Sequence, residues 1–484
     1  MSRPLRFIVI GAGMSGILAV IRLREAGYDD ITVYEKAARA GGTWRENTYP
    51  GLACDVPAHL YTYSFEPNPD WRQRFASGAD IQRYFEGVAE RHRVYDCVHF
   101  NEEITQCEFR DHRWHLRTRR GTEDVADVVI AATGVLHHPA YPDIPGLDSF
   151  AGASFHTARW DHGVTLAGKR VGLVGTGSTA VQIVSAIVGE VARLELFQRT
   201  PQWILPIDNF AYSDDERQAY RRDPGKLRRL RDDLQQSFSR WFTNAVIDAD
   251  SPQLVEIERL CRENLENNVQ DPVLREKLRP NYRAACKRLI MSSDFYAAIQ
   301  HPHAALVTEG IECIEPRGVR TRDGQLHELD VLVLATGFRA DRFMRPAEVI
   351  GRGGVRLADV WAQRPSAYLS ISIPEFPNLF MLNGPNGPVG NFSLIEIAEL
   401  QVDYVLQLVA LLRDGRAREI TPRQDALEAF EEERVAAARR TVWTTGCKSW
   451  YLDDRGVPAS WPFTIERFKE EMARPRLEAF DLRA

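Results

Sequence analysis

FIVIGAGMSG, residues 7–16, joins four apolar residues to three glycines spaced as Gly11-x-Gly13-x-x-Gly16. An apolar run this short reads as a buried strand rather than as the core of a signal peptide. ILAVIRLREAG then shows helical spacing, and ITVYE reads as a second strand. Strand, glycine loop and helix together give this glycine spacing its meaning. Gly11 permits a tight turn, Gly13 lets the backbone approach a pyrophosphate, and Gly16 lets helix pack on strand. The helix N-terminus attracts phosphate. Glu35, 19 residues beyond Gly16, places a carboxylate where it accepts both ribose hydroxyls of a dinucleotide.

The plan repeats from residue 170. RVGLVG leads into Gly175-Thr176-Gly177-Ser178-Thr179-Ala180, a helix from about residue 178, and the strand RLELFQR. The slot 19 residues beyond Ala180 now holds Arg199, followed by Thr200. A carboxylate there would repel a 2′-phosphate, whereas a guanidinium and a hydroxyl hold it. The second site is therefore predicted to prefer NADPH, and the first a dinucleotide without a 2′-phosphate. Gly41-Gly42-Thr43-Trp44 and the Ala-Thr-Gly turns at 132–134 and 335–337 are backbone-permissive points of the kind that an extended FAD needs. Chains with two such units are usually flavoprotein oxidoreductases, an inference from layout.

The predicted fold class is α/β: two Rossmann-like dinucleotide-binding domains, for FAD and NADPH, with a helical insertion. Residues 208–285 are poor in glycine, rich in Arg, Asp, Glu, Gln and Leu, and spaced as helices with a solvated charged face. A hairpin is expected at 104–118, strands at 127–134 and 330–338, strand–turn–strand at 303–328, and helices at about 394–413 and 424–441. The FAD-binding domain is assigned to 1–140 and 338–484, the NADPH-binding domain to 141–207 and 286–337, and the insertion to 208–285.

A chain of 484 residues exceeds one ordinary domain. Its net charge of −6 gives no general pull toward nucleic acid or anionic membrane. No apolar stretch approaches the ~20 residues that span a bilayer. A soluble cytoplasmic protein is expected, its oligomeric state left open. The seven cysteines (54, 97, 107, 261, 286, 313 and 447) form no Cys-x-x-Cys pair. They predict neither a disulfide framework nor structural zinc, and fit a reducing cytosol. The pairs His112/His115, His137/His138 and His301/His303 have no carboxylate or thiol ligands nearby in sequence. They read as loop and strand surface, and no metal is expected.

Between the two glycine loops lies FAGASFHTARWDH, residues 150–162. Phe150, Gly152, His156, Trp160 and Asp161 match the pattern Phe-x-Gly-x-x-x-His-x-x-x-Trp followed by Pro or Asp. On these residues the chain resembles the Baeyer–Villiger monooxygenases, within the class B NADPH-dependent, FAD-containing flavoprotein monooxygenases. Gly42-Thr43-Trp44, Tyr49-Pro50-Gly51 and Asp55 match a second signature of that family. The resemblance runs from Gly11 to Ser449-Trp450-Tyr451. The related N- and S-oxygenating flavin monooxygenases, the alternative function, typically carry Tyr at the place of Trp160.

The resemblance implies a chemistry and its residues. NADPH reduces FAD, the reduced flavin captures O2 as a C4a-peroxide, and the peroxide anion attacks a small-molecule ketone to give an ester or lactone. Keeping that anion requires a fixed positive charge that cannot act as an acid. The family's arginine matches Arg288, poised by Asp55, while Lys287 reaches the 2′-phosphate beside Arg199. Ser15 faces the pyrophosphate or the backbone, and Cys54 is a packed thiol on the cofactor side. Tyr61 touches flavin or belongs to the core. Trp450 covers the nicotinamide side or belongs to the core of the tail. His156, lacking metal partners and standing between the two units, reads as a joint rather than a base. The substrate pocket is expected among the insertion, the loop 383–392 and the tail, and the particular ketone is not specified.

Overall fold

The computed structural model describes residues 4–390 and 392–484, so Asn391 of the expected pocket loop lies outside the described residues. Phe7–Ile10 is the centre of a five-stranded sheet whose strands run in the order Leu379–Met381, Val128–Ala131, Phe7–Ile10, Ile31–Glu35, Val98–Phe100. Every neighbouring pair is parallel. The strands are apolar rather than alternating because both faces of a parallel sheet are covered; all four residues of Val128–Ala131 are buried. Helix Met14–Glu25 crosses from the first strand to the second and packs against the long helix Leu394–Arg413.

The second sheet runs Ala304–Val307, Arg193–Phe197, Arg170–Val174, Val331–Leu334, Ala153–His156, again wholly parallel. The duplication extends beyond the expected strand–helix–strand unit. In each sheet the third strand of the unit is followed by an antiparallel meander: Ile104–Arg110 to Glu123–Ala126 in the first, Ile311–Glu315 to Leu326–Glu328 in the second. The outermost strand differs in origin. The first sheet takes it from late in the chain, at 379–381, and the second from the stretch before its own unit, at 153–156.

The insertion is helical as expected: Asp214–Arg222, Pro224–Phe238, Pro252–Asn268 and Pro272–Lys277. Three of these begin with proline behind a capping Asp223, Ser251 or Asp271, whose side chains accept from backbone N–H groups of the first turn. That pairing fixes a helix start, since proline lacks the N–H that would go unbonded there.

Two expectations need correction. Cys286 and Cys447, 161 positions apart, form a disulfide; the other five cysteines are free. Spacing could not reveal it, because the pair meets only where the insertion packs on the tail. Cys286, Trp443, Cys447 and Tyr451 share one apolar cluster. His112 also has a carboxylate partner, Glu419 at 2.6 Å, brought from across the chain. No described helix is long and apolar enough to cross a membrane. Among the described residues no group of His, Cys, Asp and Glu could hold a metal ion.

Candidate active site

The strand ends of both sheets open into one cavity of about 1320 Å3, larger than the ~300–1,000 Å3 of an ordinary small-molecule pocket. Gly11, Gly13 and Ser15 of the first loop line it, with Gly42, Thr43 and Trp44; so do Gly175 to Thr179 of the second. Gly16 lies beneath the wall: a Cβ there would meet the Gly11 carbonyl oxygen at 1.9 Å, so only glycine lets the helix seat on its strand. Glu35 is buried, its Oε2 accepting from the Ala12 N–H (2.8 Å) and its Oε1 from the Ala37 N–H (2.9 Å). These bonds fix a carboxylate at the strand end beside the first loop. Asn383 reaches the same wall, donating to Ser15 Oγ at 3.1 Å while its own Oδ1 is buried without a partner.

Arg199 and Thr200, just past the second sheet's strand Arg193–Phe197, line the same cavity with Lys287. Thr176 donates its hydroxyl to the Thr200 carbonyl at 2.9 Å, tying the glycine loop to the strand end. Lys287 sits 4.8 Å over the Tyr282 ring. Burial first and the Arg199 charge second pull its ammonium below the usual lysine range. Neither Arg199 nor Lys287 makes an ion pair among the described residues. Two cations without an ion-pair partner on one cavity lining can bind a dianion by charge-assisted hydrogen bonds.

Asp55 and Arg288 meet on the lining of the same cavity. The Arg288 Nε donates to Asp55 Oδ2 at 3.1 Å, its Nη2 donates to the same oxygen, and its Nη1 lies 3.4 Å from the Gly390 carbonyl. The guanidinium is deep among protein atoms, yet 33% of its side chain stays accessible because it borders the cavity. Burial works against its charge, but the Asp55 carboxylate and then the Tyr451 oxygen more than offset that, so its proton is held tighter than usual. Asp55 comes from the turn after Tyr49-Pro50-Gly51, and Arg288 leads into the short strand Ile290–Met291. The Tyr49 hydroxyl donates to Gln182 on the second unit's helix (2.9 Å), and Gln182 Nε2 donates to the Ala53 carbonyl (3.0 Å).

Sequence reasoning singled out Trp450 and passed over its neighbour. Tyr451 is buried with its hydroxyl at Arg288 and against Gly390, where a Cβ would lie 2.0 Å from that oxygen. No spacing rule reaches it; its adjacency to Trp450 was the one available signal. Trp450 is 46% exposed on the cavity lining, which excludes the tail-core alternative. Tyr61 packs on the first core, as one of its alternatives expected, and also lines the cavity, accepting from Trp44 Nε1 at 3.1 Å. Cys54 lines the cavity from a buried position that pushes its thiol pKa up. His137 and His138 line it too, correcting their reading as surface.

None of Phe150, Gly152, His156, Trp160 and Asp161 lines the cavity. Phe150 packs on the core around Val174 and Phe197, and Trp160 stands 5.1 Å from Phe155. Gly152 passes the Asp330 carbonyl so closely that a Cβ would meet it at 2.4 Å. Asp161 accepts from the Gly163 N–H at 2.9 Å, closing a turn. His156 is wholly buried at the end of the second sheet's outer strand, its Nδ1 accepting from the Ala158 N–H at 3.1 Å. Burial pushes its imidazole down to about 4, against a smaller upward pull from the Gly337 backbone that stops short of a hydrogen bond. A histidine so easily kept neutral is a poor base near neutrality. The residues after it reach across: Arg159 lies 3.8 Å from Glu46, and His162 lies 2.8 Å from Thr48.

Residues 8–213 match the family described as pyridine nucleotide-disulphide oxidoreductase. An uncharacterised monooxygenase of Mycobacterium tuberculosis is 46% identical, over 98% of this chain and 95% of its own length. A Baeyer–Villiger monooxygenase of Streptomyces coelicolor is 39% identical, over 99% and 92%. Among solved structures, cyclohexanone monooxygenase from Rhodococcus sp. Phi1 bound to NADP+ superposes with a TM-score of 0.89 at 30% identity, covering the whole of both chains.

Proposed function

This chain belongs to the Baeyer–Villiger monooxygenase family, and we propose that it uses FAD, NADPH and O2 to insert one oxygen beside a ketone carbonyl, giving an ester or lactone. One observation carries the reading. A single cavity joins two glycine loops, a buried ribose-facing carboxylate, an unneutralised cation pair and the Asp55–Arg288 pair. Residues 1–140 and 338–484 form the FAD half, 141–207 and 286–337 the NADPH half, and 208–285 the helical cap.

The residues present fit both cofactors. Glu35, Gly13, Ser15 and Gly42 suit an FAD adenosine and pyrophosphate, and Asn383, whose buried Oδ1 has no partner, lines the same cavity beside Ser15. Arg199, Lys287 and Thr200 suit a 2′-phosphate. Bound FAD and NADPH supply the two electrons with which O2 is split between product and water. The chain supplies a positive charge at Arg288 that no accessible pH removes. Asp55 and the Gly390 carbonyl aim that charge, and Tyr451 helps to keep water from it.

The deciding experiment is to purify the protein, record its yellow chromophore, and screen ketones for NADPH-dependent products sixteen mass units heavier. Oxidation of sulfides with no ester from any ketone would overturn the reading in favour of heteroatom oxygenation.

Two variants test parts of it. Arg199→Ala is expected to raise the KM for NADPH about 10- to 100-fold with little change in kcat, the loss of one charge-assisted contact; the KM for NADH should hardly move. A parallel rise for both would show that Arg199 does not select the 2′-phosphate. His156→Ala is expected to keep its flavin while releasing several-fold more hydrogen peroxide per NADPH, because the outer strand and its bridges to Glu46 and Thr48 lose their anchor. Unchanged turnover and unchanged peroxide release would remove the joint role.

A further inference from the structure

We propose that the Cys286–Cys447 disulfide is a thiol-exchange site that clips the tail over the active cavity, and that a dithiol is its reaction partner. Its functional meaning rests on the monooxygenase reading above. Cys286 immediately precedes Lys287 and Arg288, and Cys447 stands shortly before Trp450 and Tyr451. One covalent bond therefore joins the wall that carries the fixed cation to the tail that closes the cavity.

Little else holds that tail segment. Thr444, Thr445, Gly446, Lys448 and Trp450 are exposed. Among the described residues, the hydrogen bonds of residues 444–449 stay within 439–452: Thr444 and Thr445 bond to Arg439, Thr441 and Val442, and Ser449 to Tyr451 and Leu452. Firm anchors begin only outside, at Val442 N–H to the Val246 carbonyl (3.0 Å) and at Ala459 N–H to the Tyr451 carbonyl (2.7 Å). With the disulfide closed, the stretch from 443 to 450, Trp450 included, is pinned at its middle to the wall that carries Arg288; with it open, that stretch is tied only at its two ends, Val442 and Tyr451.

The exchange balances in two steps. Cys447 is itself buried, at 7% exposure, but its neighbours Gly446 and Lys448 are exposed and Cys286 is wholly buried, so Cys447 Sγ is the sulfur that a local opening of the tail uncovers. A dithiol's thiolate attacks it there, and the S–S bond breaks with Cys286 leaving as a thiolate that takes a proton. The reagent's second thiol then attacks the mixed disulfide, releasing Cys447 as a thiol and the reagent as its own disulfide. Two electrons and two protons pass to the protein. In a reducing compartment, protein disulfides that do form are usually of this transient kind.

The test uses full-length, flavin-loaded protein, air-oxidised or treated with dithiothreitol. Thiol titration in denaturant is expected to find five free cysteines in the first sample and seven in the second. Mass spectrometry of the first should recover a peptide linked through Cys286 and Cys447. Reduction should speed hydrogen exchange over residues 444–450 about tenfold or more, weaken NADP+ binding and raise peroxide release. Cys447→Ser should match the reduced protein and ignore dithiothreitol; because its position flanks an exposed loop, it tests the idea even if Cys286→Ser does not fold. Seven thiols after air oxidation, or equal exchange and equal NADP+ affinity in the two redox forms, would overturn the proposal. Thiol count and exchange do not depend on ketone turnover, so failure of the functional reading would be seen separately.

Discussion

Arg288→Ala protein is expected to keep its flavin but to form ester from ketone about 10²- to 10³-fold more slowly, the usual loss when one preorganised charge is removed from a developing anion. Flavin retention is expected because Glu35, the first glycine loop and Asn383 are held by their own hydrogen bonds, none of which involves Arg288. The loss should appear in product, while NADPH consumption continues and its electrons leave as hydrogen peroxide. Arg288→Lys separates charge from shape. Lysine restores a cation but not the planar fork that now engages Asp55 and the Gly390 carbonyl together. Ester formation is expected to recover only in part. Full activity in the alanine variant would remove Arg288 from the chemistry.

Gly16→Val should do the opposite, abolishing flavin while leaving the rest of the fold in place. Even a single added carbon would lie 1.9 Å from the Gly11 carbonyl oxygen. That oxygen belongs to backbone pinned between the first strand and the helix, so it cannot swing aside. Overpacking of this kind costs about 1–3 kcal/mol or more. The strain falls on the loop that must approach the pyrophosphate. The variant is expected to purify colourless, with flavin occupancy reduced at least about tenfold and circular dichroism close to that of the parent. A yellow, active valine variant would show that the helix can lift without harm to the site.

Local rules carried the reading where residues act through their neighbours in sequence. The glycine loops, Glu35, Arg199 and the insertion's helices depend on spacings of a few residues to about twenty. They were legible for that reason. Asp55 and Arg288 were reached only through family resemblance, since a turn aspartate and a strand-edge arginine have no signature of their own. The disulfide, the His112–Glu419 contact and the place of Tyr451 depend on segments that meet only in the folded chain. So does the outer strand of each sheet. Leu379–Met381 is three apolar residues, and nothing within them says which sheet they join. Ala153–His156 sits inside the fingerprint, where residue identity drew notice and strand character did not.

The late origin of Leu379–Met381 sets an order on biosynthesis. Every strand of the NADPH-side sheet lies between residues 153 and 334, so that sheet can close while the ribosome is still extending the chain. The FAD-side sheet begins first and finishes last, its fifth strand emerging about 250 residues after its fourth, roughly 12–50 s at ordinary elongation rates. Meanwhile Val128–Ala131 presents a bare apolar edge inside the cell. A nascent chain stalled before residue 379 should therefore be a target for chaperones, and flavin can be captured only after release is near.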